Sequence, residues 1–313
     1  MSDFAIATEN LGKTFGAQKA VVDLNLCVRP GAVYGFLGRN GAGKTTTMRM
    51  LLGLQRATSG KAQVLGLNPS VETDLMRLLE RVAFLPQRKQ LYAWATGAEL
   101  VRMNQGFFPR WSSEMVPRLV QKLDIPMRTK FGKLSLGNQT KVALLLALAQ
   151  GAEILMLDEP TAGLDPVAVD ELQKTLIEDH VSQGRTIFLS SHQLSEVEQI
   201  CDWVGIIEAG RLLLEARLED VRQEYRLVIA SGEKLPASAS GDVVSATNDG
   251  RFFRYVMARE AERFAVELRG QGATIMEISP IGLRELFLHL VRKEETCTPG
   301  NAGEKLAHAS SYS

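Results

Sequence analysis

Four short apolar runs recur across residues 1–220 of the chain. They are Ala32–Leu37, Val82–Leu85, Ile154–Leu157 and Thr186–Ser190, and polar or helical patterns separate them. Runs of this length with little alternation predict strands that are buried on both faces, as in a parallel sheet covered by helices. We therefore expect an α/β domain with these strands in its central sheet.

The pattern changes after the second run and again after residue 220. From residue 88 to about 133 only helical patterns occur, the clearest at Ala98–Gln105 and Ser113–Leu123, and a strong helix is predicted at Thr140–Gln150. We interpret residues 88–150 as a helical subdomain inserted into a first domain of residues 1–220.

The remainder of the chain reads as a smaller domain and a tail. Residues 221–293 alternate short strands with helices, which predicts a small α+β accessory domain, and no grouping of His, Cys or carboxylates there suggests chemistry. The polar tail at residues 294–313, which contains Gly and Ser, is expected to be disordered.

Composition and charge narrow the classes of partner. The chain has 313 residues, with 36 basic and 36 acidic side chains. This neutral balance gives no electrostatic footprint for nucleic acid, so we expect no nucleic-acid partner. The three cysteines show no paired spacing, which argues against a zinc site or a disulfide framework.

No membrane or export segment is predicted. The N-terminal residues carry acidic groups and no basic stretch that leads into an apolar one, so we expect no signal peptide. The longest uncharged apolar run, Val142–Ala149, is far shorter than the roughly 20 residues that a membrane helix needs. We expect a cytoplasmic protein that reaches a membrane only through a partner.

The segment Gly38–Thr46, GRNGAGKTT, directly follows the first apolar run and precedes a predicted helix, Met48–Leu54. This order of strand, glycine-rich loop and helix predicts a phosphate-binding loop. Its glycines let backbone N–H groups face phosphate oxygens, and the helix directs its positive dipole end at the same anion. We expect Lys44 to reach the β- and γ-phosphates and the Thr45 hydroxyl to bind Mg²⁺.

Polar side chains follow each of the other three runs. Asp158 and Glu159 follow one of them, Gln87 follows another and His192 follows the last. Adjacent carboxylates can divide their labour, with Asp158 holding Mg²⁺ and Glu159 orienting or deprotonating a water molecule. A lone Gln or His after a strand is more often an ordinary residue. Their position at the carboxyl edge of a parallel sheet, where ligands bind, favours function.

Three further features each leave two interpretations open. Phe15 can stack on adenine or simply pack between the first two strands. Ser135 and Gly137, just before a helix, form either an anion site or an ordinary cap. The aromatic cluster at Leu91–Trp94 is either buried packing or a surface on which a partner docks.

Six motifs stand in one order along the chain. They read GRNGAGKTT, FLPQ, LSLGNQ, ILMLDEP, AGLD and SSH. With them, the chain from about Phe4 to Glu215 resembles the ATP-binding cassette (ABC) family, specifically the ATPase subunit of a transporter. The resemblance implies an α/β fold with a P-loop NTPase core, an N-terminal antiparallel β subdomain and an inserted helical subdomain. It implies ATP and Mg²⁺ as cofactors.

The resemblance also implies roles for individual residues. Those expected to bind ATP are Phe15, which matches the adenine-stacking aromatic, and Gly38, Arg39, Asn40, Gly41, Ala42, Gly43, Lys44, Thr45 and Thr46. Those expected to hold Mg²⁺ are Thr45, Gln87 and Asp158. Those expected to take part in catalysis are Lys44, Gln87, Glu159 as the base and His192 as the switch histidine.

The segment LSLGNQ matches the family signature that caps the γ-phosphate held by the opposite subunit. Ser135, Leu136, Gly137 and Asn138 are therefore expected to act across a dimer, together with Asp165. The segment departs from the usual LSGGQ form, because Leu136 replaces a glycine and Asn138 stands in place of Gln. Since the serine and the second glycine are kept, we expect ATP capping to be kept as well.

The resulting hypothesis is an ATPase subunit that dimerises around two ATP molecules, with a second copy of itself or a homologous subunit. It would drive a separate membrane permease at the cytoplasmic face, through Gln87–Thr96 and the helical subdomain. The segment Pro280–Lys293 resembles the C-terminal appendage of export ATPases, which favours export. Two alternative functions fit the sequence less well. An ATPase that acts on ribosomes or DNA usually carries two cassettes in one chain, and only one is visible here. A small-molecule kinase would use the same loop but would not explain LSLGNQ and His192.

Overall fold

The protein is described by a computed structural model that covers residues 3–232, 242–248 and 250–296, with side chains to residue 291. It divides into two compact units, Met1–Glu219 and Asp220–Ser313. The strands of the first unit are β1 (Ile6–Phe15), β2 (Gln18–Leu24), β3 (Cys27–Val28), β4 (Val33–Leu37), β5 (Ser59–Val64), β6 (Val82–Leu85), β7 (Ile154–Asp158), β8 (Thr186–Ser191), β9 (Trp203–Glu208) and β10 (Arg211–Arg217). Its α-helices are α1 (Lys44–Leu51), α2 (Glu72–Leu79), α3 (Gly97–Gln105), α4 (Met115–Lys122), α5 (Leu136–Ala149), α6 (Pro166–Gln183) and α7 (Leu194–Ile200).

The four apolar runs form neighbouring strands of one six-stranded sheet, ordered β10-β9-β4-β8-β7-β6. Strands β9, β4, β8, β7 and β6 are parallel to their neighbours, and only β10 is antiparallel to β9. Every residue of β4, β7 and β8 is buried, which explains why their sequences show no alternation. The predicted α/β fold is confirmed, and the residues that follow these strands all leave the same edge of the sheet.

A second, antiparallel sheet is built around β1, which pairs with β2, β3 and β5. Gly12 and the polar residues after it favour a turn in the local sequence, yet β1 continues as far as Phe15 and the chain turns only at Gly16. Hairpin pairing with β2 and pairing of Gly12 with Ser59 of β5 extend β1 through this glycine-containing stretch. The apolar stretch Val21–Val28 is divided between two strands, because β2 ends at Leu24 and β3 begins only at Cys27.

The helical subdomain contains α3, α4 and α5 and a short 3₁₀ turn at Phe131–Lys133. Helix α5 begins at Leu136 rather than at the predicted Thr140, because the Ser135 hydroxyl caps it by accepting a hydrogen bond from the Asn138 amide at 3.3 Å. The signature segment is therefore the first turn of a helix. From Thr140 onward almost every residue of α5 is buried.

Thr96 closes the start of α3 with a reciprocal capping box. Its hydroxyl accepts a hydrogen bond from the Glu99 amide, and the Glu99 carboxylate accepts one from the Thr96 amide at 2.7 Å. Replacing Thr96 with Ala is expected to lower the free energy of unfolding by about 1 kcal/mol. Urea denaturation checks this value, with the exposed Thr129→Ala in the same subdomain as the control. Equal losses in the two variants would argue against a specific cap.

Helix α8 (Leu218–Glu224) spans the division between the two units, which lies between Glu219 and Asp220. The sequence patterns did not predict this helix. The strands of the second unit are β11 (Arg226–Ser231), β12 (Val243–Asn248), β13 (Phe253–Met257) and β14 (Thr274–Pro280), and its other helices are α9 (Ala261–Gly270) and α10 (Leu283–Thr296). The strands form an antiparallel sheet ordered β12-β13-β11-β14. Phe264 of α9 packs edge-on against Tyr255 of β13, with ring centroids 5.0 Å apart, in a core of its own.

The expectation of disorder from residue 294 was wrong for residues 294–296, which form the last turn of α10. Continuation of a helical repeat through Lys293 outweighs the polar composition there. The rest of that prediction, residues 297–313, lies outside the described residues. Within the described part of the chain, no helix is both long and apolar enough to span a bilayer.

Candidate functional site

A cleft of about 430 Å³ opens at the carboxyl edge of the central sheet. Nine of its lining residues are among those predicted as site residues: Phe15, Asn40, Gly41, Gly43, Lys44, Thr45, Thr46, Gln87 and Glu159. Two others, Gln18 and Ala20 of β2, were not predicted. The cleft thus joins the end of β1, the glycine-rich loop and the ends of β6 and β7.

The glycine-rich loop leads from β4 into α1 in a conformation that depends on Gly43. Its φ is 111°, and a Cβ atom there would lie 2.6 Å from the Ala20 carbonyl oxygen. Only glycine fits this position, which directly precedes the first residue of α1. The N-terminus of α1 consequently lies at the cleft, where its dipole and free N–H groups favour an anion.

Lys44 is held by the loop that it follows. Its side chain is 6% exposed, and its Nζ donates to the carbonyl oxygens of Gly38 at 2.7 Å and Arg39 at 3.2 Å. The third partner of the ammonium is Oε1 of Glu159, 3.1 Å away. Gly38 and Arg39 therefore act through their backbone and do not line the cleft, and Ala42 is buried beneath the loop.

Glu159 is the point where the predicted catalytic residues meet. One carboxylate oxygen contacts Lys44 and the other contacts Nδ1 of His192, while the side chain is only 5% exposed. Its φ of 48° lies in the left-handed region, which is unusual for a glutamate. Ser190 of β8 accepts a hydrogen bond from the Glu159 amide through both its hydroxyl, at 3.0 Å, and its carbonyl oxygen, at 3.2 Å. Backbone strain of this kind is concentrated at functional sites.

Asp158 lies next to Glu159 but points to a different set of partners. The Thr45 hydroxyl donates to its Oδ2 at 2.8 Å, and the Ser190 hydroxyl donates to its Oδ1 at 2.7 Å. Thr45, Asp158 and Gln87 also line a second cavity of about 570 Å³ beside the cleft. These are hard oxygen donors that suit Mg²⁺, an ion usually held by one or two carboxylates together with phosphate and water oxygens.

The oxygen atoms of Thr45, Asp158 and Gln87 suit Mg²⁺, which keeps phosphate and water ligands, better than a metal ion that takes all of its ligands from protein side chains. Among the described residues there is no group of three or more His, Cys, Asp or Glu side chains that could hold a metal ion. Lys89 shares the second cavity, and its Nζ donates to the Gln87 carbonyl oxygen at 3.1 Å. Burial lowers the pKa of Lys89, and the charge of Asp158 opposes that shift.

The residues expected to act on the opposite subunit line neither cavity. They are Ser135, Leu136, Gly137, Asn138 and Asp165. The Asp165 carboxylate instead caps α6, accepting hydrogen bonds from the amides of Ala168 and Val167 at 3.0 Å each. The Ala168 amide, with a smaller contribution from Val167, holds the pKa of Asp165 below its usual value.

The signature segment and the AGLD segment touch within one chain. Gly163 has a φ of 77°, and a Cβ atom there would lie 2.4 Å from Cδ2 of Leu136. Leu136, which stands where the family usually has glycine, is 47% exposed. The side chain gained at this position thus packs on the backbone of the neighbouring loop.

Sequence reasoning missed several residues that shape the site. Ser190 was noted only as part of a motif, yet it binds both Asp158 and the amide of Glu159. Lys89, which lines the second cavity, carries no motif that would single it out in the sequence. Ser190 could have been found, because it is a polar residue at the end of a buried strand. The positions of Gln18, Ala20 and Lys89 at the site depend on how separate segments of the chain fold together.

The fold and this cleft define a P-loop nucleotide-binding ATPase. A family model described as "ABC transporter" matches residues 21–162, and a model described as "AAA domain, putative AbiEii toxin, Type IV TA system" matches residues 128–198. The chain is 39% identical over 223 residues to the Bacitracin transport ATP-binding protein BcrA of Bacillus licheniformis, covering 71% of this chain and 72% of that protein. The protein belongs to the ATP-binding subunits of ABC transporters.

Two further similarities extend this result. The Nod factor export ATP-binding protein I of Sinorhizobium fredii is 29% identical over 307 residues, covering 94% of this chain and 88% of that protein. A solved structure, "Structure of ATP binding subunit of ABC transporter", matches with a TM-score of 0.63 and 26% identity over 70% of this chain and 92% of that one. The predicted identity is confirmed: the chain is an ATP-binding and ATP-hydrolysing subunit of an ABC transporter.

Proposed function

We propose that each ATP molecule binds between two subunits, in the cleft of one copy and against Ser135–Asn138 and Asp165 of another. The observation that carries this proposal concerns the predicted site residues that line the cleft. All of them belong to the group expected to bind ATP and Mg²⁺ or to act in catalysis within one chain, and none belongs to the group expected to act across the dimer. The signature residues of the same chain line neither cavity, and both Ser135 and Asp165 are exposed. A second copy, or a homologous subunit, supplies the second half.

Within one copy, Phe15 stacks on adenine and the loop Gly38–Thr46 surrounds the phosphates. The ring of Phe15 is 47% exposed and borders the cleft, which suits stacking better than packing in a core. Backbone N–H groups of Arg39, Asn40 and Thr46 add to those of the glycines, while the Ala42 amide donates to the Arg39 carbonyl oxygen at 3.1 Å and holds the shape of the loop. Lys44 supplies the positive charge next to the β- and γ-phosphates.

Thr45, Gln87 and Asp158 hold Mg²⁺ together with phosphate oxygens. When bound, the metal neutralises charge on the β- and γ-phosphate oxygens. Ser190 helps to fix the Asp158 carboxylate, since its hydroxyl donates to Oδ1 at 2.7 Å while the Thr45 hydroxyl contacts both carboxylate oxygens. The aspartate is thereby oriented before any ligand binds.

Glu159 acts as the general base and His192 positions it. The carboxylate contacts His192 on one oxygen, which leaves the other for Lys44 or for the attacking water. A γ-phosphate that binds Lys44 replaces the contact between Lys44 and Glu159. The base is then released towards the water at the moment when the substrate is in place.

The membrane partner docks at Gln87–Thr96 and the helical subdomain. Tyr92 and Trp94 are 56% and 60% exposed, and their rings lie 5.6 Å apart. Of the two interpretations of this cluster, a docking surface is therefore favoured for these two rings, while Leu91 packs against the core. Docking on a permease places the subunit at the cytoplasmic face of the membrane.

We infer export as the direction of transport. Similarity to a Nod factor export ATP-binding protein over 94% of the chain, the second unit included, supports this inference. The permease selects the cargo, so this subunit supplies energy rather than specificity.

A substitution at Ser135 tests the shared site. In a Glu159→Gln background, Ser135→Arg is expected to abolish the ATP-dependent dimer seen by size-exclusion chromatography with light scattering. The ATP affinity of the monomer should stay within about twofold, because Ser135 lies outside the cleft of its own chain. Ser113→Arg, an exposed serine in the same subdomain, is the matched control and should dimerise normally.

One outcome contradicts the proposal, and another decides between the two partners that it allows. A dimer that forms normally with Ser135→Arg removes the signature segment from the interface. A Glu159→Gln protein that remains monomeric at saturating ATP excludes a homodimer and leaves a homologous subunit as the partner.

A further inference from the structure

Phe15 is an exposed residue at the end of a strand whose backbone is hydrogen-bonded to a neighbouring segment. It is the last residue of β1, and the segment that precedes β5 braces this end of the strand. The Thr58 amide donates to the Gly12 carbonyl oxygen at 2.8 Å, and the Thr14 amide donates to the Thr58 hydroxyl at 3.1 Å. The backbone on which the ring stands is therefore fixed.

Lys13 extends this brace to the ring itself. Its Nζ lies 4.9 Å from the centroid of the Phe15 ring and donates to the Arg56 carbonyl oxygen at 2.7 Å. The hydrogen bond to the Arg56 carbonyl oxygen holds the ammonium beside the Phe15 ring. The distance is within the range of a cation–π interaction.

The two side chains differ in their relation to the cleft. Phe15 lines the cleft and Lys13 is not among its lining residues, while the Lys13 ammonium lies over a face of the ring. An exposed phenylalanine ordinarily samples several rotamers, and a planar ligand that stacks on it must first select one. An ammonium held over one face restricts the orientations that the ring samples and leaves the opposite face available to a stacked base.

We propose that Lys13 is a positioning residue for the nucleotide base, acting through Phe15 and not by contact with ATP. This inference rests on the proposed function, in which Phe15 stacks on adenine. The contribution of Lys13 then belongs to the base and not to the phosphates. Inorganic tripolyphosphate, which has no base, should not respond to Lys13.

Calorimetric titration of the full chain with ATP and with tripolyphosphate, both with Mg²⁺, tests the proposal. Lys13→Met keeps the aliphatic stem and removes the charge, and it is expected to weaken ATP binding by about two- to fivefold. Its affinity for tripolyphosphate should be unchanged. Lys13→Arg keeps the cation and should restore ATP affinity to within about twofold of the wild type.

A double-mutant cycle separates the ring from the rest of the fold. Phe15→Ala alone should weaken ATP binding and not tripolyphosphate binding. In that background, Lys13→Met should have no further effect on ATP, because the ring through which it acts is gone. Thermal unfolding of each variant checks that the tip of β1 remains folded.

The possible failures are distinguishable. If Phe15→Ala changes both ligands equally, the base-stacking part of the proposed function is wrong and the role of Lys13 falls with it. If Phe15→Ala is selective for ATP but Lys13→Met is not, only the inference about Lys13 is overturned. The same holds if Lys13→Met weakens ATP binding equally in the Phe15→Ala background.

Discussion

Replacing Glu159 with Gln is expected to lower ATP turnover by at least about 100-fold, because the amide cannot accept a proton from the attacking water. The same change should tighten ATP binding. In the structure Glu159 is paired with Lys44 at 3.1 Å, and the γ-phosphate has to take over that ammonium. Glutamine carries no charge to compete with the phosphate, so Lys44 is available to the ligand without cost.

Phosphate release and the Kd for ATP measure the two effects separately. Glu72→Gln, an exposed carboxylate in the first turn of α2, is the control and should leave both unchanged. Near-normal turnover in Glu159→Gln would show that another group is the base. Lost turnover with unchanged affinity would keep the base and reject the competition for Lys44.

Replacing Lys44 with Ala is expected to weaken ATP binding by about tenfold or more, the loss that follows when a charge-assisted hydrogen bond to phosphate is removed. Turnover should fall with it. The substitution also leaves Glu159 buried without its ammonium partner. Removing one member of a buried ion pair costs roughly 3–5 kcal/mol, so the melting temperature should drop as well.

The double variant Lys44→Ala/Glu159→Gln distinguishes these two consequences. Because Gln needs no counter-charge, the double variant should recover much of the lost thermal stability without recovering ATP binding. Lys122→Ala, which breaks a more exposed pair with Glu178 in the first unit, is the control and should leave ATP affinity unchanged. If Lys44→Ala binds ATP as tightly as the wild type, the loop has been assigned the wrong role.

The central strands could be predicted because burial on both faces leaves a direct mark on the sequence. Ile154–Leu157 has no polar residue, so its identity as a core strand needs no knowledge of its neighbours. The end of β1 is the opposite case. Its glycine and polar residues favour a turn locally, whereas pairing of Gly12 with Ser59 of β5 and of Phe15 with Gln18 of β2 keeps this end in a strand.

In the candidate site, too, some features could be predicted from the sequence and others could not. Glu159 and His192 each follow a predicted strand, and adjacency of β7 and β8 brings them into contact. The pairing of Glu159 with Lys44 was not predicted, because it depends on the positive φ of Glu159, which redirects its side chain towards the loop. The residue types were thus predictable from the sequence, while their partners required the geometry of the strand ends.

The contact between Leu136 and Gly163 has a mechanical consequence for the proposed dimer. Because the leucine side chain rests on the glycine backbone, the signature turn and the loop that ends at Asp165 cannot shift independently. In the proposed dimer both loops would contact the other subunit, so a displacement imposed by one bound nucleotide would reach the two loops together. The pair would then act as one rigid element that couples the occupancy of the two proposed ATP sites.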